Sequence, residues 1–98
     1  MNNEKVKYTL SARYLTADIY NTETVDTFME ILAKEFTECM LFLNYDTEVT
    51  GVKGGIINVD LVVEVDNTMM VPTFPIYIKS TTDCATLIED SCEVEVLK

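Results

Sequence analysis

Between Ile57 and Asp66 the chain alternates with a period of two. Ile57, Val59, Leu61, Val63 and Val65 fall on one side of an extended backbone, and Asn58, Asp60, Val62, Glu64 and Asp66 on the other. Successive strand residues point to opposite faces, so a one-residue slip would turn every aliphatic of the first set outward. The segment is therefore committed to a sheet with one apolar face and one largely acidic face. Lys5 to Tyr14 repeats the pattern, with Val6, Tyr8, Leu10, Ala12 and Tyr14 set against Lys5, Lys7, Thr9, Ser11 and Arg13. The apolar parity then shifts to Leu15, Ala17 and Ile19, which predicts a bulge or a turn near Arg13 and Tyr14.

From Asn21 to Cys39 the period changes. Val25, Phe28, Met29, Leu32, Phe36, Cys39 and Met40 fall within an arc of about 120° at 100° per residue, the stripe of a helix that faces a core. Asn21, Thr22 or Thr24 can cap it, Glu23 and Asp26 suit its positive end, and Glu30 precedes Lys34 at the favourable i,i+4 spacing. Phe42 to Tyr45 fits either a continued helix or a strand, and Asp46 to Gly55 reads as a turn-rich connection. Asn67-Thr68 marks a turn. Pro72 and Pro75 restrict a strand around Phe74, Ile76 and Ile78 to an edge or irregular position, ending at Lys79. Thr81 to Asp90 suits one or two helical turns capped by Thr82 or Asp83, and Cys92 to Leu97 a short strand with Val94 and Val96 opposite Glu93 and Glu95. The predicted fold is α+β: a single acidic globular domain over residues 1–98, one principal amphipathic helix packed on a largely antiparallel sheet of four to five strands.

Composition narrows the chemistry. With 48% apolar residues in 98, the chain can build a core although 17 acidic side chains face 7 basic ones, a net charge of −10. The absence of histidine removes Ser-His-Asp and Cys-His catalysis and histidine-bearing zinc sites. Gly51-Val52-Lys53-Gly54-Gly55 lacks the order of a phosphate-binding loop and reads as a hairpin loop. Arg13 with Tyr8, Tyr14 and Tyr20 is an ordinary strand pattern rather than a nucleotide-stacking patch. Cys39, Cys84 and Cys92 contain no C-x-x-C pair and are expected as reduced thiols, although Cys84 and Cys92 could bridge in a secreted chain. No secretion signal precedes the first alternating segment, and the longest apolar run, Met40 to Leu43, is far too short to span a bilayer. A cytoplasmic protein is expected, without catalytic, cofactor or metal sites. Asp60, Glu64 and Asp66 with Glu93 and Glu95 can be imagined around magnesium or calcium, but such sites usually add a cation for the substrate, and Lys79 is the one cation between the two groups in sequence.

The carboxylates are more suggestive as a surface. Residues two apart on a strand lie about 6.6 Å from one another, so Asp60, Glu64 and Asp66 on one strand and Glu93 and Glu95 on another form rows that can imitate a phosphate backbone. Glu23, Asp26, Glu30 and Glu38 on the helix extend the surface if they lie on the same side, and repulsion between adjacent acidic strands would be relieved by a cationic partner. Strong acidity argues against direct contact with nucleic acid or an anionic membrane.

In size, acidity and lack of catalytic equipment, the chain resembles two broad groups of small inhibitors: phage-encoded counter-defence proteins such as anti-CRISPR and anti-restriction DNA mimics, and bacterial immunity proteins that block nuclease toxins. The resemblance implies a non-enzymatic inhibitor, monomeric or homodimeric, that blocks a basic nucleic-acid-binding surface of a nuclease or RNA-guided effector. The expected partner-binding residues are Glu30, Asp60, Glu64, Asp66, Glu93 and Glu95. The alternative expectation is a small structural or assembly subunit of a phage or bacterial complex, self-associating through an exposed strand edge.

Overall fold

The computed structural model describes residues 4–20, 22–68, 70–79 and 84–97. In chain order the elements are β1 (Lys5–Thr16), α1 (Thr22–Glu35), β2 (Met40–Val49), β3 (Gly55–Asp66), β4 (Tyr77–Lys79), β5 (Cys84–Leu87) and β6 (Glu93–Leu97). One antiparallel sheet runs β2-β3-β1-β5-β4, with β6 also paired to β1. The α+β expectation is met; the described residues form six strands rather than four to five, because residues 42–45 are strand within β2 and β5 is extended as well.

The two alternating segments form the centre. β1 and β3 pair antiparallel without interruption from Lys5 opposite Asp66 to Thr16 opposite Gly55. This register places Leu10, Ala12 and Tyr14 beside Leu61, Val59 and Ile57, and all six are buried. Val25, Phe28 and Leu32 from α1, with Phe36 just beyond it, pack onto that face together with Phe74 and Ile78. Tyr14 meets Phe28 edge-on at 4.8 Å between ring centres, and Phe36 meets Phe74 at 5.5 Å. The Tyr14 hydroxyl donates to the Pro75 carbonyl, which satisfies a polar group that burial would otherwise penalise.

Several expectations are corrected. The parity change at Arg13 and Tyr14 produces no bulge: β1 stays regular, Thr16 takes the buried position and Leu15 is exposed on the opposite face. The helix ends at Glu35 rather than near Cys39, and Met40 already belongs to β2. Asn21 lies outside the described residues, and Thr24 is buried inside α1. Glu30 and Lys34 form no ion pair. Asp46 to Val49 is strand, so the connection to β3 shrinks to 50–54, where the Thr50 N–H donates to the Gly54 carbonyl at 2.9 Å. Cys84 to Leu87 is strand, not helix; the proposed caps Thr82 and Asp83 lie outside the described residues.

β5 and β6 lie end to end along the same edge of β1. Leu87 faces Tyr14 and Glu93 faces Ser11, so residues 88–92 loop out where β1 supplies only residues 12 and 13. The loop is pinned back by the Ile88 N–H on the Arg13 carbonyl at 2.9 Å and by the Arg13 N–H on the Ser91 hydroxyl at 3.1 Å. A single helix about 10 Å wide covers roughly two strands spaced about 4.8 Å apart. β1 and β3 are therefore buried on the helix side, while Tyr45 and Val49 of β2 and Val94 and Val96 of β6 stay largely open to solvent.

Candidate functional site: the helix-free face of the sheet

The face opposite α1 carries the other half of each alternating pattern. Asp60, Glu64 and Asp66 project from β3 on this side, and Glu93 and Glu95 from β6, because each lies out of phase with the buried residues of its neighbours. Five of the six expected partner-binding residues thus share one face. The sixth does not: Glu30 is exposed on α1, beyond the opposite side of the sheet, beside a cleft lined by Asp26, Met29, Ala33 and Tyr45. With the helix packed on the apolar face, its acidic side and the acidic strand faces look in opposite directions.

β1 lies between the two acidic strands, which corrects the expected repulsion between neighbours. Across the sheet Asp60 is followed by Ser11 and then Glu93, and Val62 by Thr9 and then Glu95. The rows are two strand spacings apart, roughly 9–10 Å, close to the screening length in physiological salt. The Ser11 hydroxyl donates to Asp60 at 2.8 Å. The cations of this face come from β1 rather than from Lys79: Lys5, Lys7, which stands opposite Glu64, and Arg13. Lys5 closes an ion pair with Asp66 at 3.0 Å, and that hydrogen bond and charge raise the Lys5 ammonium above its ordinary pKa. Arg13 turns toward β2, donating to Glu48 and Asn58 at 3.2 Å each. Asp66 is accordingly committed within the chain, whereas Glu64, Glu93 and Glu95 form no ion pair among the described residues.

This face also holds a cleft of about 510 Å³ beside the 88–92 loop and β1, bordered by Arg13, Asn58, Asp60, Asp90, Ser91 and Glu93. Asp90 takes a left-handed conformation with φ of 66°, one that aspartate tolerates better than most residues. Once β2 is a strand, Asp46 and Glu48 join the helix-free face as well. Alternation of Asn44, Asp46 and Glu48 with Leu43, Tyr45 and Val49 was the available signal for them. Asp90 had none, since the loop fixes its position through backbone contacts with β1.

The other constellations do not assemble. Tyr14 is buried, Tyr8 lies partly buried on the helix side, and Arg13 faces the other way, so no stacking patch forms. Cys39, Cys84 and Cys92 form no disulfide. Burial raises the pKa of both Cys39 and Cys92, away from the reactive thiolate. Among the described residues no group of three or more Asp, Glu, Cys or His is gathered to hold a metal ion, and no helix is long and apolar enough to cross a membrane. No protein-family model, curated protein or solved structure matches the chain.

Proposed function

We propose that the helix-free face binds a cationic protein surface that otherwise accepts nucleic acid, and that the protein acts as a non-enzymatic inhibitor of the counter-defence or toxin-immunity kind. The observation that carries this reading is the pair of carboxylate rows, Asp60 with Glu64 and Glu93 with Glu95, lying on one open face with Lys7, Thr9 and Ser11 of β1 between them. Glu93 and Glu95 lie about 6.6 Å apart and Asp60 and Glu64 about 13 Å apart along their strands, and the two rows, roughly 9–10 Å from each other, offer arginines and lysines a separation similar to that of phosphates bordering a groove about 12 Å wide. The diversion of Arg13 to β2 and of Lys5 to Asp66 supports the same reading, because it leaves Lys7, opposite Glu64, as the remaining cation of β1 against Asp60, Glu64, Glu93 and Glu95, and the face stays net negative. Such a surface steers association and sets specificity more than it adds affinity.

The test is charge reversal. Asp60→Lys, Glu64→Lys, Glu93→Lys and Glu95→Lys combined should leave the circular dichroism spectrum intact, since all four residues lie outside the core. Immobilised unmodified protein should capture a nucleic-acid-binding protein from host lysate, release it to competing oligonucleotide and lose it as salt rises. The reversed variant should capture none. Equal capture by the reversed variant, with unchanged salt dependence, overturns the reading.

A further inference from the structure

We infer that β2 is a homodimerisation strand: two copies pair their β2 edges antiparallel about a two-fold axis at Tyr45, joining their sheets into one. The inference is independent of the acidic-face reading and rests on the opposite border of the sheet from β6.

The backbone supplies the first argument. Hydrogen-bonded and non-hydrogen-bonded pairs alternate along an antiparallel ladder. The Thr50 N–H bonds the Gly54 carbonyl, so Glu48, Asp46 and Asn44 turn their peptide groups toward β3. Leu43, Tyr45, Thr47 and Val49 turn theirs outward. Among the described residues no strand lies beyond β2, and a border of outward N–H and C=O groups is a template for another strand. The side chains supply the second. Leu41, Phe42, Tyr45 and Val49 are between 44% and 57% exposed on this one strand, without the lysines or prolines that usually blunt an edge.

Charge selects the occupant and the register. Paired residues share a face, so the two-fold must pass through a residue rather than between two. Centred on Tyr45, the pairing sets Phe42 opposite Glu48, Leu43 opposite Thr47, Asn44 opposite Asp46, and Tyr45 opposite its own copy. No carboxylate meets another directly, and the Asn44 amide can donate to Asp46 of the second copy. That carboxylate accepts the edge N–H of Thr47 at 2.8 Å in the single chain, and the second strand would take over the donor. Moving the axis to Asp46 sets two aspartates face to face, which disfavours that register. The β6 border is shorter, five residues, and offers less: paired with itself about Glu95 it opposes two glutamates, about Val94 it opposes Glu93 to Glu95, and about Val96 it avoids facing carboxylates but engages no more than its last three residues. A two-fold at Tyr45 closes the assembly at two copies.

The residual cost is that each Asp46 lies diagonal to its copy while both chains carry a net charge of −10. Self-pairing should therefore tighten with salt, the opposite of binding to a cationic partner, so the two readings stand or fall separately. Sedimentation velocity from micromolar to sub-millimolar protein, at low and physiological salt, should show a dimer that strengthens with both. Tyr45→Lys places like charges at the axis and Thr47→Pro removes an outward donor. Each should weaken the dimer by about tenfold or more with circular dichroism unchanged, while Asp46→Asn should tighten it. A monomer under all these conditions overturns the inference. So does a dimer that survives both folded variants, or one that Val94→Lys dissolves instead.

Discussion

A methyl group on Gly55 would lie 2.5 Å from the Glu48 carbonyl oxygen and 2.6 Å from Ile19 Cβ. Both neighbours are held, Glu48 in the β2–β3 ladder and Ile19 by its N–H on the Lys53 carbonyl at 2.8 Å. Gly55→Ala should cost about 1–3 kcal/mol in chemical denaturation, the range for overpacking. Gly51→Ala should be near neutral, because nothing lies within 4 Å of that position. Tyr14 predicts a pH effect. Burial first, then the charges of Cys92 and Glu35, push its phenol above the ordinary tyrosine range. An unfolded tyrosine ionises near pH 10 while the folded one resists, so this contribution is complete below about pH 10 and is lost as pH rises toward the folded pKa. Tyr14→Phe should remove that part of the alkaline decline and cost about 1 kcal/mol at neutral pH through the lost bond to Pro75. A variant with wild-type stability and an unchanged alkaline profile would refute the assignment.

The elements differ in how much of the core they supply. Leu32 is fully buried against the sheet, and Leu32→Ala should cost about 2–5 kcal/mol by denaturant titration. Met29→Ala should cost less, because that side chain is only partly buried. The same contrast governs what could be read from the sequence. β1, α1 and β3 each bury one face or stripe, so selection for a core imprinted period two or 3.6 on them. β2 has a largely open helix side, with Tyr45, Thr47 and Val49 all exposed, and the weak contrast between its faces made Asp46 to Val49 read as a loop. β5 has four residues, too few to display a period. The acidic rows were legible as faces of their strands, because Asp60, Glu64, Glu93 and Glu95 oppose aliphatics in sequence. Their separation by β1 was not legible, since it depends on β6 returning to pair beside Thr9 and Ser11. The placement of Glu30 away from them depends likewise on which face the helix covers.

At the scale of the whole molecule, net charge acts against an elongated body of 54 × 23 × 18 Å. The ion pairs Lys5–Asp66 and Arg13–Glu48 are solvent-exposed, and such pairs are worth about 0–1 kcal/mol each. Screening should relieve more repulsion than it removes attraction, so the melting temperature of the dilute protein should rise by a few degrees from low to physiological salt. A fall would show that native ion pairs outweigh the repulsion. The central place of β1 bears, finally, on how the chain comes off the ribosome. β1 finds these partners in strands synthesised after it: Val6 waits for Val65, and Tyr8 for Val96 as well. At about 5–20 residues per second the nascent β1 spends several seconds without either neighbour, its alternating aliphatics open to chaperones or to other nascent chains. High contact order of this kind places refolding on the millisecond-to-second scale rather than in microseconds.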